Sequence, residues 1–202
     1  MRMLRVRRER LYSPHHVLLD VACMALKTAE EQDTYQFENM LICMTFCTLV
    51  LEAAANTFGK QLVDDWTVYD RKSPIEKLQK LSSALGVSWN QQDEPFATAV
   101  WLAEFRKDVV HARPEIVTTD SVITETHYKK QRGNRPPSTL ERQHVTLENA
   151  QRAMKQVLAL LGLLIERTPP ERWRGLVADG WTSSAQPVES TAAARTDETS
   201  LP

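Results

Sequence analysis

The sequence has few of the residues that mark extracellular or metal-binding proteins. Its 202 residues include three cysteines, at positions 23, 43 and 47, and no Cys-x-x-Cys pair. This gives no indication of a disulfide framework or a four-cysteine zinc site. Cys43 and Cys47 stand four residues apart in an apolar stretch, where two reduced core thiols are a stronger interpretation than a metal pair. We therefore expect a reduced, cytoplasmic protein with no metal or other cofactor.

Long apolar runs and a strong net charge are also missing. The longest apolar run, MLICMTFCTLVL at residues 40–51, is short and contains two threonines, so it predicts a buried helix rather than a membrane span. The basic start, MRMLRVRRER, is not followed by the apolar segment of a secretory signal. With a formal net charge of −1, the chain has no overall basic field, so any RNA contact must be a local patch.

Apolar residues recur with helical spacing through most of the chain. The pattern predicts an all-α fold, an up-and-down bundle of about five helices over residues 13–175. Residues 114–145 interrupt it as a long polar loop or a small hairpin, inserted before the last long helix. The last twenty residues lack aromatic side chains and an apolar stripe, and we expect residues 176–202 to be a disordered tail.

Capping residues predict where the first, second and fifth helices begin or end. The first begins after Ser13, a favourable N-cap, and the fifth begins after Thr146. The second covers about residues 36–58, and Gly59 is expected to stop it.

The third and fourth helices carry clearer signals. In SPIEKLQKLSSALG, Ser73 and Glu76 have the spacing of a capping box, and Gly86 is suited to the C-terminal end. The fourth helix is expected over about residues 94–112, with Asp93 as its cap. Its apolar stripe is predicted at four positions, Phe96, Val100, Ala103 and Val110.

The stretch FRKDVVHARPE at residues 105–115 places an arginine and a histidine near the end of this fourth helix. Arg106 stays charged and can bind a phosphate through two parallel hydrogen bonds. His111 titrates near neutral pH, so it can take or give a proton when RNA is cleaved by its own 2′-hydroxyl. Positions five apart differ by about 140° around an ideal helix, so the two side chains share a face only if the helix end is distorted or the arginine reaches around.

This segment resembles the signature of the HEPN superfamily, small up-and-down helical bundles of which many are metal-independent ribonucleases with an R-x4-6-H motif. The resemblance is sharpest over residues 105–113 and looser over 36–59, where LEAAANTFG is similar to the preceding bundle helix, and over 94–112. It implies a homodimer whose two motifs line one cleft and RNA products with 2′,3′-cyclic phosphate ends. It also implies a toxin or defence role, with an antitoxin or another protein as partner.

The resemblance and the spacing give the motif residues their expected roles. Arg106 and His111 are the expected catalytic pair, and Asp108, three residues before His111, is expected to support it by accepting a hydrogen bond from the imidazole. Lys107 stands where family members often have asparagine. The expected RNA-binding residues lie in the motif and in the run KKQRGNRPPS, which is equally compatible with a solvated loop: Lys107, Arg113, Lys129, Lys130 and Arg132.

A second interpretation stays open from the sequence. The same helices can form a non-catalytic module that binds a protein or a nucleotide, with Arg106 in an intramolecular salt bridge and His111 isolated on the surface. Glu52 and Asn56, four residues apart on an otherwise apolar helix, either face the motif helix and anchor Arg106 or are hydrogen-bonded to the backbone, the commoner outcome for such pairs. A solvent-open cleft around the motif would favour the enzyme.

Overall fold

The computed structural model of the protein describes residues 4–131, 136–173, 176 and 180–187, and most of these are helical. The α-helices of this described part are α1 Pro14–Glu31, α2 Gln36–Leu62, α3 Pro74–Ala84, α4 Phe96–Val110, α5 Glu125–Gln131, α6 Thr139–Gln143 and α7 Leu147–Arg167. Two strands, β1 Leu4–Leu11 and β2 Gly180–Pro187, pair in an antiparallel ribbon. Short 3-10 turns cover Trp66–Tyr69 and Pro170–Arg172.

The helix α2 lies at the centre of the fold, because α1, α3, α4 and α7 all pack against it. Its buried side chains are mostly small or flexible, which lets the surrounding helices approach closely; they include Met40, Cys43, Met44, Cys47, Val50, Ala54 and Phe58. The predominantly helical character confirms the coarse prediction of the fold class. The β-ribbon was not predicted.

Of the described helices, α2 alone has the length and apolarity of a membrane span, with a mean hydropathy of 1.6 in its most apolar window. Half of that window is buried inside the fold. The prediction of a buried helix at residues 40–51 is therefore consistent with this structure, although the helix extends well beyond that run.

The prediction that Gly59 ends the second helix is wrong. The helix continues to Leu62, and Gly59 is a buried residue inside it. A Cβ atom added at Gly59 would lie 2.3 Å from the Cε2 atom of Trp66, a residue that is itself only 5% exposed. Glycine is needed here because the indole ring packs directly on the helix backbone, a contact that no local pattern in the sequence reveals.

The helix α3 follows its predicted caps. The Ser73 hydroxyl accepts a hydrogen bond from the backbone N–H of Glu76, and the Glu76 carboxylate accepts one from the backbone N–H of Ser73, forming the capping box. Gly86 follows the helix end with a φ of +67°, the left-handed conformation that favours glycine. Thr146 also caps α7 as predicted, by accepting a hydrogen bond from the N–H of Asn149.

The helix α4 begins at Phe96, close to its predicted start at about residue 94, but the prediction that Asp93 caps it is wrong. The Asp93 carboxylate instead accepts a hydrogen bond of 2.6 Å from the Asn90 amide. Glu94 does the capping, since its carboxylate accepts hydrogen bonds from both the backbone N–H and the hydroxyl of Thr98.

The predicted apolar stripe of α4 is also wrong at most positions. Phe96 is buried as expected, but the other buried apolar residues are Ala99, Leu102 and Phe105, and Val110 is 67% exposed. The sequence is apolar on several sides of this helix, so spacing alone did not decide which side packs against α2 and α7. Val100 and Ala103 instead face a groove on the surface.

The expectations for the polar segments need correction. In the described part of residues 114–145 there is no hairpin, and the short helices α5 and α6 form there instead. Residues 180–187, expected in a disordered tail, form β2, and residues 188–202 lie outside the described chain. The strand forms because β1, at the other end of the described chain, supplies a pairing partner. A contact between residues so far apart in sequence leaves no local sequence signal.

Glu94 makes the stability of the fold depend on pH. Burial raises the pKa of Glu94, but hydrogen bonds from Thr98 and Arg152 outweigh it and the net pKa lies below the usual value. A carboxylate with a lowered pKa stabilises the folded state above its unfolded pKa, about 4.3 for glutamate, and this contribution is lost as the pH falls through the lowered value. Glu94→Gln is therefore expected to melt at a lower temperature than the wild type at neutral pH, and the difference should shrink in acid. A difference in melting temperature that persists unchanged at about pH 3 would contradict this role for the Glu94 charge.

Candidate functional site

Arg106 and His111 line the same surface groove at the end of α4. The helix stops at Val110, and His111 is its C-terminal cap, with φ −105° and ψ 15° and its backbone N–H donated to the carbonyl of Lys107. The groove has a volume of about 460 Å³ and also contains Lys107. The backbone N–H of His111 keeps the helical hydrogen bond to Lys107, so positions 106 and 111 remain about 140° apart, and the groove is broad enough to include both side chains.

The walls of this groove combine apolar and polar groups from three parts of the chain. Apolar surface comes from Val100, Ala103 and Val110 of α4, and the start of α3 adds Ser73, Pro74 and Ile75. Gln91, in the turn before α4, lines it as well. The sequence analysis did not identify the α3 and Gln91 contributions, since nothing in the sequence indicates that these segments meet α4. The groove is thus open and partly apolar, and it contains charged groups of both signs where the motif lies, since Glu104 lines it beside Lys107.

Arg106 is held by an ion pair with Glu52 of α2. The Nη1 atom of Arg106 donates to Oε2 of Glu52 at 3.1 Å, and the two side chains are 43% and 31% exposed. Glu52 thus takes the first of the two alternatives raised from the sequence, and faces the motif helix. A guanidinium has five N–H donors, so a contact through Nη1 leaves others that can bind a phosphate.

Asn56 takes neither alternative. It lines a different cavity, together with Tyr12 and Lys60, one helical turn from Glu52. Its Oδ1 atom is buried and has no hydrogen-bond partner among the described residues. The two polar residues of α2 therefore belong to separate surface features.

Lys107 and Asp108 are less well placed than expected to bind RNA or to support His111. Lys107 lines the groove but forms an ion pair with Glu104 at 2.7 Å. Asp108 is exposed, is not part of the groove lining, and forms no hydrogen bond to His111 within the described chain. The expected support of the imidazole by Asp108 is therefore not present in this structure, and His111 is exposed to solvent.

The other predicted RNA-binding residues lie away from the groove lining. Arg113 is exposed beyond the end of α4, and Lys129 and Lys130 are exposed on α5, where Lys129 pairs with Glu125 at 2.5 Å. Arg132 lies outside the described residues. Their role in RNA binding stays a prediction.

Two of the three cysteines, Cys43 and Cys47, have the environment of core residues. Cys43 and Cys47 are fully buried, and Cys23 is free and exposed. A hydrogen bond with Cys43 and burial raise the pKa of Cys47, and burial also raises the pKa of Cys23. These thiols stay protonated at neutral pH and are weak nucleophiles and metal ligands in that form. In the part of the chain that the structure describes, no three residues of metal-ligating type are grouped to hold an ion.

Comparisons of this chain with protein-family models, with curated proteins and with solved structures find no match. The site must therefore be interpreted from its own geometry. A fixed cation, an exposed imidazole and an apolar wall within one open groove are suited to binding a phosphate next to a flat or apolar group and to moving protons there.

If the groove cleaves RNA, as the family resemblance implies, removing the Glu52 anchor should affect cleavage more than stability. The ion pair is partly exposed, so Glu52→Ala should cost under about 1 kcal/mol, a few degrees in melting temperature. Without it Arg106 is free to rotate away from the groove, and we expect cleavage to fall about tenfold. Glu31→Ala, which removes the exposed pair with Lys27, is the matched control and should change neither quantity appreciably. Equal cleavage by the two variants would show that Glu52 does not position Arg106.

Proposed function

We propose that this protein is a HEPN-like endoribonuclease that acts as a homodimer without a metal ion. The observation that supports the proposal best is the open groove in which Arg106 and His111 lie together. An arginine and an exposed histidine that line one groove supply a phosphate ligand and a proton-transfer group that works near neutral pH. The five longer helices, α1 to α4 and α7, correspond in this proposal to the up-and-down bundle of the family.

In the proposed reaction, the ribose 2′-hydroxyl attacks the adjacent phosphorus and the bond to the 5′-oxygen breaks. One imidazole takes the proton from the 2′-hydroxyl, and another protonates the departing 5′-oxygen. The products are a 2′,3′-cyclic phosphate and a free 5′-hydroxyl. Because each chain contributes one His111, a dimer with both motifs in one cleft supplies the two imidazoles. Arg106 donates hydrogen bonds to the non-bridging phosphate oxygens and stabilises the charge that develops on them.

The biological setting is inferred from the family resemblance. We propose a cytoplasmic toxin or defence effector, whose activity an antitoxin or another protein controls. The ion pair between Lys107 and Glu104 lies at the edge of the groove, so a partner or an RNA that separates these side chains would add a cation to the site.

A second candidate function has its own support. Arg106 is tied to Glu52 within the chain, and His111 is exposed without a hydrogen bond to Asp108, two features expected of a non-catalytic module. In this alternative the groove binds a nucleotide or a protein segment and no bond is broken. The first proposal expects the protein to cleave RNA and the alternative expects RNA to stay intact, so one assay distinguishes them.

The test is incubation of the purified protein with a mixed RNA pool and an excess of chelator. The proposal expects cleavage, 2′,3′-cyclic phosphate ends, and a dimeric mass in solution. RNA that stays intact in the presence of a folded dimer, with and without added divalent metal, would favour the binding module. Products with 3′-hydroxyl ends would show a different reaction from the one proposed.

A further inference from the structure

The ribbon of β1 and β2 is a strongly basic and solvent-exposed part of the fold. Residues 4–11 include four arginines and one glutamate, in a chain whose formal net charge is −1. The arginine side chains that the structure describes here, Arg5, Arg7 and Arg8, are all exposed. Within the described residues neither strand packs extensively on a helix. Positive charge is thus concentrated on an element that contributes little to the core.

Over residues 5–9, the strand register gives the ribbon one face without apolar side chains. Arg5 lies opposite Gln186, Arg7 opposite Ser184, and Glu9 opposite Thr182. Residues directly opposite each other in an antiparallel pair point to the same side, so these six side chains share a face. The other face carries Leu4, Val6 and Arg8, of which Leu4 is 52% and Val6 48% exposed.

The polar face has the side-chain types that bind a nucleic-acid backbone. Arginine together with serine, threonine and glutamine donates hydrogen bonds to phosphate and sugar oxygens. Two-stranded ribbons are used by other proteins to contact nucleic acid. Glu9 is the acidic group on this face, and it forms a close ion pair with Arg7. An approaching phosphate must compete with Glu9 for the Arg7 guanidinium.

We propose that this ribbon is an RNA-binding arm that holds the phosphate backbone through Arg5 and Arg7, outside the groove of the motif. The identity of the ligand rests on the proposed ribonuclease function. The ribbon leads through Tyr12 and Ser13 directly into α1, at the cavity that Asn56 of α2 also lines, one turn from Glu52. The ribbon therefore meets α2 one helical turn from Glu52, the residue that pairs with Arg106.

The experiment measures binding of a short fluorescent single-stranded RNA by anisotropy over a series of salt concentrations, with every protein carrying His111→Ala so that nothing is cleaved. Adding Arg5→Gln and Arg7→Gln together is expected to weaken binding about tenfold. The slope of log affinity against log salt should become shallower by about 1.4, because two phosphate contacts are lost. Lys27→Gln with Lys155→Gln removes two exposed charges from α1 and α7 and is the matched control, expected to change affinity much less.

Glu9→Gln provides a test in the opposite direction. It removes the acid that pairs with Arg7, so the proposal expects tighter RNA binding, whereas a purely structural role of the ion pair gives no gain. Equal affinity and salt dependence for the arginine variant and the lysine control would overturn the proposal. The arginines would then serve only to protect the strand edges from aggregation. Cleavage of RNA by the wild type is measured separately, so the ribbon and the ribonuclease can fail independently.

Discussion

His111→Ala is expected to lower RNA cleavage by roughly 10²- to 10⁴-fold, the usual contribution of a positioned acid or base, and to leave the fold intact. The imidazole is exposed and forms no hydrogen bond within the described chain, so its removal leaves neither a cavity nor an unpaired buried group. Stability should therefore change by under about 0.5 kcal/mol. Cleavage rates on a defined RNA, together with melting curves of both proteins, measure the two effects.

His144→Ala is the matched control, because His144 lies at the end of α6 and is not part of the groove lining. It should cleave RNA at the wild-type rate. If His111→Ala also cleaves at that rate, the motif does not carry the reaction. A loss of cleavage accompanied by a much lower melting temperature would point to damaged folding, and His111→Gln would then be used to keep the size of the side chain.

Gly59→Ala is expected to destabilise the protein by about 2–3 kcal/mol, although alanine is the better helix former. The new methyl group would overlap the Trp66 ring, since the Cβ position lies 2.3 Å from two of its carbon atoms. Trp66 is buried and stacked on Tyr69, with ring centroids 5.4 Å apart, so the indole cannot move without disturbing a second aromatic ring. The melting temperature should fall by about 4–12 °C, which thermal unfolding followed by circular dichroism measures.

Gly162 of α7 provides the control for Gly59. A Cβ atom built at Gly162 meets no atom within 4 Å, so Gly162→Ala gains helix propensity without a steric cost and should stabilise the protein by about 0.5–1 kcal/mol. The two substitutions are chemically identical and both lie inside helices. Opposite signs would show that the Trp66 contact, and not the intrinsic preference of the residue, determines the effect at Gly59. A stabilised Gly59→Ala variant would show that Trp66 does not pack as described.

The sequence predicted best the features that depend on neighbouring residues. The capping box of Ser73 and Glu76, the left-handed Gly86 and the Thr146 cap each involve groups within about one helical turn, so their spacing is visible in the chain. The strong periodicity of α7 likewise follows from one apolar stripe. These local interactions are specified by composition and spacing with little influence from the rest of the fold.

The features that the sequence did not predict depend on contacts between residues that are far apart in the chain. Glycine commonly follows a helix, so the sequence predicts a stop at Gly59, yet this glycine lies inside the helix and makes room for Trp66. The side of α4 that packs inward could not be chosen among several apolar sides, and β2 forms only because β1 is beside it. In each case the local structure depends on a neighbour that cannot be identified when one segment of the sequence is considered at a time.

The candidate site also combines features that the sequence predicted with features that depend on distant contacts. The sequence predicted the positions of Arg106 and His111 near a helix end and raised Glu52 as an anchor for Arg106, and the structure brings Arg106 into contact with Glu52. Helical spacing suggested a hydrogen bond from His111 to Asp108, but Asp108 is exposed outside the groove lining and forms no such bond within the described chain. The wall formed by the start of α3 and Gln91 depends on packing between segments and was not predictable.

The pairing of β1 with β2 also constrains the order of folding. Leu4 pairs with Pro187, so the ribbon closes a loop that contains nearly the whole described chain. Closing so long a loop costs conformational entropy before any strand contact is gained, and a two-stranded ribbon alone offers little to offset that cost. The helices must therefore assemble first and bring the strand segments together, with Leu176 buried in the core and its carbonyl 3.2 Å from the His15 ring. We therefore expect the basic ribbon to form after the helices and to open before them, so that its arginines are presented together only by molecules whose core is already complete.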